Sequence, residues 1–331
     1  MQADRRNGRD PRLTVLYLRY PTGPGYRGER SVRALHRILS RLPGSKTLVT
    51  IDNSACRSAP EQLGADEYAI GGDNSFLEFS GWQRGVDFLR ERGIAGDVCL
   101  LANDMLVAQS RSHRWLLNQA AVACARRYEA MVGRRVVLPA GGQILGNPLI
   151  PHVRTHLFLL PHAVLDELGS VVSLDRYSVD RLLLPAFDPA VQLFRPDAPI
   201  SESIRDTILL HLHSSWHRRV PYTAEHFDTL RGKAISILNS LLLSMRVHEL
   251  GHPLVSLARA ARVLRADPTR ACLRAEWLDG TERRPAPGAP GTNPFWQADA
   301  DAYRRVPEKA RAFSLENVLD FVERRKHPEH L

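Results

Sequence analysis

The chain has 331 residues, 44% of them apolar and 24% charged, the composition of a folded globular protein with one large domain or a domain plus an annex. No apolar run approaches the ~20 residues of a membrane helix, and the basic start MQADRRNGRDPR leads into no apolar stretch of the kind a secretory signal carries. The net charge of +9 calls for an anionic partner; without zinc-finger spacing, an RNP-like aromatic motif or a helix-turn-helix pattern, nucleic acid is set aside in favour of a phosphorylated ligand or an anionic membrane surface.

Residues 1–10 read as a disordered tail. Residues 13–18 form a first strand by their β-branched and aromatic content, followed by a loop, Arg19-Tyr20-Pro21-Thr22-Gly23-Pro24-Gly25. Residues 31–42 place Val32, Leu35, Ile38, Leu39 and Leu42 at helical spacing, with arginines on the other face, and Pro43-Gly44 stops the helix. A second strand at 47–51 ends on Asp52-Asn53-Ser54, and a short third strand covers 67–70. A helix over 81–92 follows, then the apolar strand 98–102, which ends abruptly on Asn103-Asp104. Strand alternating with helix argues for a mainly parallel sheet flanked by helices. Asp104 then stands at the carboxyl end of a buried strand, where open α/β sheets bind their ligands.

Farther on, helices are expected over 114–127 and 161–168, and strands over 135–138 and 153–160. Glycine and proline at 139–142 and 146–148 bracket a flexible connection. Beyond about residue 199 the pattern turns helical, over 201–212, 223–245 and 254–264. A Pro/Gly-rich loop spans 283–294, and a last amphipathic helix begins at Ser314, a fair N-cap. This divides the chain into an α/β domain at 11–200 and a helical C-terminal annex at 201–331. The four cysteines, Cys56, Cys99, Cys124 and Cys272, form no CxxC pair, and a reducing cytoplasm is the expected compartment.

Several residues carry chemistry as well as a structural reading. Asp104 suits a hard divalent cation or a turn. Asp52 suits a ribose hydroxyl or a base N–H, or again a turn. The guanidinium groups of Arg19, Arg27, Arg30 and Arg84 suit phosphate, or remain solvated. Tyr20 and Trp82 suit stacking on a base or sugar, or the core. His248-Glu249-Leu250-Gly251-His252 matches the HExxH pattern of zinc peptidases, two imidazoles one helical turn apart beside a glutamate. Pro253 disfavours helical geometry at His252, and no HxxGxxH continuation follows.

In order and spacing, residues 13–184 resemble GT-A-type glycosyltransferases, family-2-like, of bacterial cell-surface polysaccharide biosynthesis. The resemblance lies in Arg19-Tyr20-Pro21 after the first strand and Asp52-Asn53-Ser54 after the second. It continues in Asp73-Asn74-Ser75 with Glu78-Phe79-Ser80-Gly81-Trp82-Gln83-Arg84-Gly85, in Leu100-Leu101-Ala102-Asn103-Asp104, and in Arg154-Thr155-His156-Leu157-Phe158 as the acceptor-side strand. It implies a GT-A-like fold that transfers sugar from a nucleotide diphosphate sugar to a glycan or lipid-linked acceptor. Arg19, Tyr20, Asp52, Asn53, Asn74 and Arg84 would bind the donor, Asp104 would be the catalytic and metal-binding carboxylate with Mg or Mn, and Asp175 or Asp180 would serve as acceptor base, with His156 a further candidate. The family's acidic pair is reduced here to Asn103-Asp104-Met105, which brings in two alternatives: a non-catalytic, degenerate GT-A-like binding protein, and the zinc metallopeptidase of His248 and His252. The charge further implies peripheral contact with the anionic inner face of a membrane.

Overall fold

The structure, a computed structural model, describes residues 10–21, 28–55, 59–109, 115–137, 142–190, 193–212 and 222–278. The expectations for Arg27, Cys56, the 283–294 loop and the helix from Ser314 fall outside these residues, as does nearly all of the 1–10 tail. The chain divides into two compact units. The first comprises Met1–Val137, Pro151–Ser173 and Asn239–Arg283; the second includes Leu138–Ile150 and Leu174–Leu238. Residues 239–283, which lie in the expected C-terminal annex, thus complete the first unit.

The first unit begins β1 (Arg12–Arg19), α1 (Gly28–Leu39), β2 (Ser45–Asp52), β3 (Glu61–Gly64), β4 (Glu67–Gly71), α2 (Glu78–Glu91), β5 (Val98–Asn103), α3 (Leu106–Gln109), α4 (Gln119–Tyr128) and β6 (Met131–Val136). The hairpin of β7 (Gln143–Ile144) and β8 (Asn147–Pro148) belongs to the second unit. The chain then re-enters the first with β9 (His152–Pro161) and α5 (His162–Leu168). The second unit continues with α6 (Arg176–Leu182), α7 (Glu202–Leu210) and the first part of α8 (Phe227–Glu249). From Asn239 onward α8 belongs to the first unit, which ends with β10 (Leu254–Ser256), α9 (Ala260–Ala266) and α10 (Arg270–Leu278).

Eight strands form one sheet in the order β10-β6-β9-β5-β1-β2-β4-β3. The pairs β5-β1, β1-β2, β2-β4 and β10-β6 are parallel, whereas β9 runs antiparallel to both neighbours and β3 folds back on β4. The mixed α/β fold with a mostly parallel sheet flanked by helices is the one expected. Every side chain from Val98 to Ala102 is fully buried, because β5 is central and covered on both faces. One face carries Leu13, Val15, Tyr17, Leu100, Leu157 and Leu159 under α1, α4 and α9. On the other, α2 packs Phe79, Trp82, Phe88 and Leu89, with Trp82 edge-on to Phe158 at 5.7 Å.

Two segments differ from expectation. Residues 254–264 are not one helix: Leu254–Ser256 is an edge strand beside β6, and the helix starts at Ala260. A short buried apolar run looks alike in strand and helix, and only the free edge of β6 decided between them. The loop before the third strand contains β3, whose hairpin gives β4 an antiparallel neighbour. In the second unit, Tyr222 clusters with Phe187 and Phe227, at 5.1 and 6.3 Å, and its hydroxyl accepts from the Leu193 amide at 3.0 Å.

Candidate functional site

The chain passes from β1 through α1 to β2 on one side, and from β4 through α2 back to β5 on the other. Strand order therefore reverses between β1 and β5. At such a switch point the loops diverge and open a crevice beyond the carboxyl ends of the strands. Arg19-Tyr20, Asp52-Asn53-Ser54 and Asn103-Asp104 leave neighbouring strands there, with Arg19 opposite Asp52 and Leu18 opposite Asn103.

Asp104 bridges the switch point. Its amide donates to the Leu18 carbonyl at 3.0 Å, and its Oδ2 accepts from the Tyr20 amide at 3.0 Å. Burial raises the pKa of this carboxyl; the Tyr20 amide pulls it back and the charge of Glu78 pushes it up again. Glu78 opens α2, so the second carboxylate whose charge acts on Asp104 belongs to a different element. Glu78 is far from Asp104 in the chain, so the sequence around Asp104 shows one acidic residue only.

On the other side of β1, Arg19 grips Asp52 with Nε at 3.0 Å and Nη2 at 2.9 Å, both to Oδ2. Asp52 Oδ1 accepts from the Ser54 amide at 2.9 Å and its hydroxyl at 2.6 Å. Burial works to raise the Asp52 pKa, but the Ser54 bonds and Arg19 outweigh it and hold the group below its ordinary value. The Arg19 side chain is still 43% exposed and open to a ligand. Tyr20, at 37% exposure, keeps an accessible ring beside it.

Asn53 and Asn74 are turned to internal work. Asn53 is buried; its Nδ2 donates to Asn74 Oδ1 at 3.2 Å and to the Leu77 carbonyl at 2.9 Å. Leu77 has φ of 51°, a backbone strained for a leucine, and the same carbonyl also accepts from Ser80 at 3.1 Å. These bonds fix the turn that delivers Glu78. Trp82 is fully buried and donates Nε1–H to the Ala102 carbonyl at 3.3 Å, which is its core reading. Arg84 is not brought to the cluster: it pairs with Glu91 at 3.1 Å, toward the far end of α2.

The same edge of the sheet carries cations beyond β5. The pairing of β6 with β9 sets Arg134 opposite Arg154. Burial, then repulsion by Arg134, lowers the Arg154 pKa to about 9, and burial lowers that of Arg134. His156, on β9, is buried. Asp175 and Asp180 lie in the second unit. Asp175 is the N-cap of α6, accepting from the Ser178 amide at 2.7 Å, and Asp180 meets Arg231 at 3.5 Å.

The HExxH pattern does not take its helical form. Helix α8 ends at Glu249, Gly251 turns at φ of 92°, and His252 lies beyond the helix with Nε2 at 2.9 Å from Glu167. His248 and His252 are therefore not stacked one turn apart, as HExxH coordination requires. Among the described residues, no three His, Cys, Asp or Glu side chains gather as a metal-binding group. No described helix is long and apolar enough to cross a membrane.

No protein-family model matches the chain, and no curated protein matches it. Among solved structures, it is similar to the mannosyltransferase PcManGT from Pyrobaculum calidifontis in complex with GDP-Man and Mn2+. The identity is 12% and the TM-score 0.34, over 96% of this chain and 88% of that one.

Proposed function

We propose that the first unit binds a nucleotide diphosphate sugar at the β1–β5 switch point and transfers the sugar to a glycan or lipid-linked acceptor. The observation that carries this reading is Asp104, held across the switch point by the Tyr20 amide, with the Arg19–Asp52 pair on the neighbouring strand end.

Each group has a task suited to its surroundings. Asp52 stays ionised, so it accepts from a ribose hydroxyl or a base N–H. Arg19 orients Asp52 and offers its exposed guanidinium N–H groups to phosphate oxygen. Tyr20 gives a flat surface for a base or sugar ring. The facing Arg134 and Arg154 place positive charge along the same edge, where it favours an anionic ligand. Asp104 is a hard oxygen donor, as is Glu78, whose charge acts on it, and such donors suit Mg or Mn with diphosphate oxygens and water completing the shell. A cation bound by them would offset the charge of the departing nucleoside diphosphate. The rest is positioning: aligning donor and acceptor removes much of the entropic barrier.

The test is a melting-temperature screen of the full chain against nucleoside diphosphates with and without Mn2+, followed by turnover of the matching sugar nucleotides. A rise in melting temperature with one nucleotide and slow release of sugar from its donor are expected. Binding without any turnover favours a non-catalytic binding protein, and no response to any nucleotide overturns the reading.

A further inference from the structure

Helix α1 buries Ala34, Leu35, Ile38 and Leu39 against the sheet and turns Arg30, Arg33 and Arg37 to solvent. Arg41, one turn after Arg37 and just past the helix end, continues the row, with Nε on the Arg37 carbonyl at 3.0 Å. The spacings of three and four residues put these side chains on one face. Glu29 is the acidic residue of the helix, and among the described residues no carboxylate lies within ion-pair distance of Arg30, Arg33 or Arg37. At the end of the row stands Trp115, 71% exposed, with the Arg41 guanidinium 4.5 Å over its ring. Arg30, Arg33 and Arg37, with no carboxylate at ion-pair distance among the described residues, repel one another and gain from a surface of opposite charge. An open indole beside it adds something an extended polyanion does not need: an amphipathic ring suited to the headgroup region of a bilayer.

We infer that the outer face of α1, from Arg33 through Arg37 and Arg41 to Trp115, is a docking surface for an anionic lipid bilayer. The arginines meet headgroup phosphates and Trp115 enters the interface, so the chain is held peripherally. The inference does not depend on sugar transfer, since none of these residues belongs to the β1–β5 site.

Co-sedimentation of the full chain with phosphatidylglycerol–phosphatidylcholine vesicles, against pure phosphatidylcholine, tests it without sugar nucleotide or acceptor, so its failure leaves the transferase reading intact. Binding to the anionic vesicles alone, weakening as salt is added, is expected. The double variant Arg33→Gln/Arg37→Gln should lower the partition coefficient roughly tenfold or more. Trp115→Ser should lower it as well while leaving the salt dependence in place. Neither change should alter the melting temperature, because these side chains are exposed. Equal binding to both vesicle types, or parental binding by either variant, overturns the proposal. So does a Trp115→Ser effect on duplex DNA binding as large as that on vesicles, which would make the surface a nucleic-acid site.

Discussion

Helices α1 and α2 cover opposite faces of the same sheet and treat their arginines in opposite ways. On α2, Arg84 pairs with Glu91, while Arg90 reaches Asp87, Asp166 and the carbonyls of Leu165 and Gly169. On α1, Arg30, Arg33 and Arg37 have no such carboxylate partner among the described residues. The inner faces differ as well. A Cβ on Gly81 of α2 would stand 2.2 Å from Leu18 Cδ1 and 2.4 Å from Asn53 Oδ1, so α2 lies unusually close to the strand ends. Helix α1 rests on ordinary aliphatic side chains. The contrast separates two duties: α2 is bound into the sheet and starts at Glu78, whose charge acts on Asp104, whereas α1 completes the core and leaves its charge outside.

The comparison breaks first at the carboxyl edge. Asp104→Asn keeps an acceptor for the Tyr20 amide and removes the charge, and sugar transfer should fall by at least about a hundredfold. The folded-state pKa of Asp104 is raised, so its ionisation at neutral pH costs the native state stability. The asparagine variant should therefore melt at the parental temperature or slightly above. Parental transfer by this variant would remove Asp104 from the chemistry.

The next effect is on stability. Gly81→Ala gains helix propensity, but its methyl group meets Leu18 and Asn53 well inside van der Waals contact, and a net loss of about 1–2 kcal/mol is expected in denaturant titration. At Gly85 the nearest atom is the flexible end of Ile51 at 2.7 Å, so Gly85→Ala should cost much less. Equal effects at the two glycines would show that α2 is not held more tightly at the edge than in its middle.

The smallest effect sharpens the link between α2 and the site. If Asp104 must be ionised for transfer, its titration sets the acid limb of the pH profile. Burial raises that pKa and the Glu78 charge raises it further, so Glu78→Gln should move the limb to lower pH, whatever it does to the maximal rate. A limb that stays in place or moves upward would separate Glu78 from Asp104.

The sequence was informative where local rules suffice. The alternation of strand and helix through Asn103 specified a mainly parallel sheet, and the unbroken apolar run of β5 marked a central strand. The abrupt polar ends after β1, β2 and β5 pointed to the edge where Arg19, Tyr20, Asp52 and Asp104 meet. Sequence reading did less well where a residue's role depends on its orientation. Asn53 carries the side chain of a ligand site, yet it brackets a turn. Arg84 had the right chemistry but points along α2 to Glu91.

Composition, periodicity and strand-end residues are properties of neighbours in the chain, and by themselves they determined the α/β class, the buried strand and the position of Asp104. Tertiary structure alone decided that the charge of Glu78 acts on Asp104, that Arg134 stands opposite Arg154, and that 254–256 joins the sheet. Each of these depends on which strand lies beside which and how closely a helix approaches, and those distances are set by packing between segments far apart in sequence.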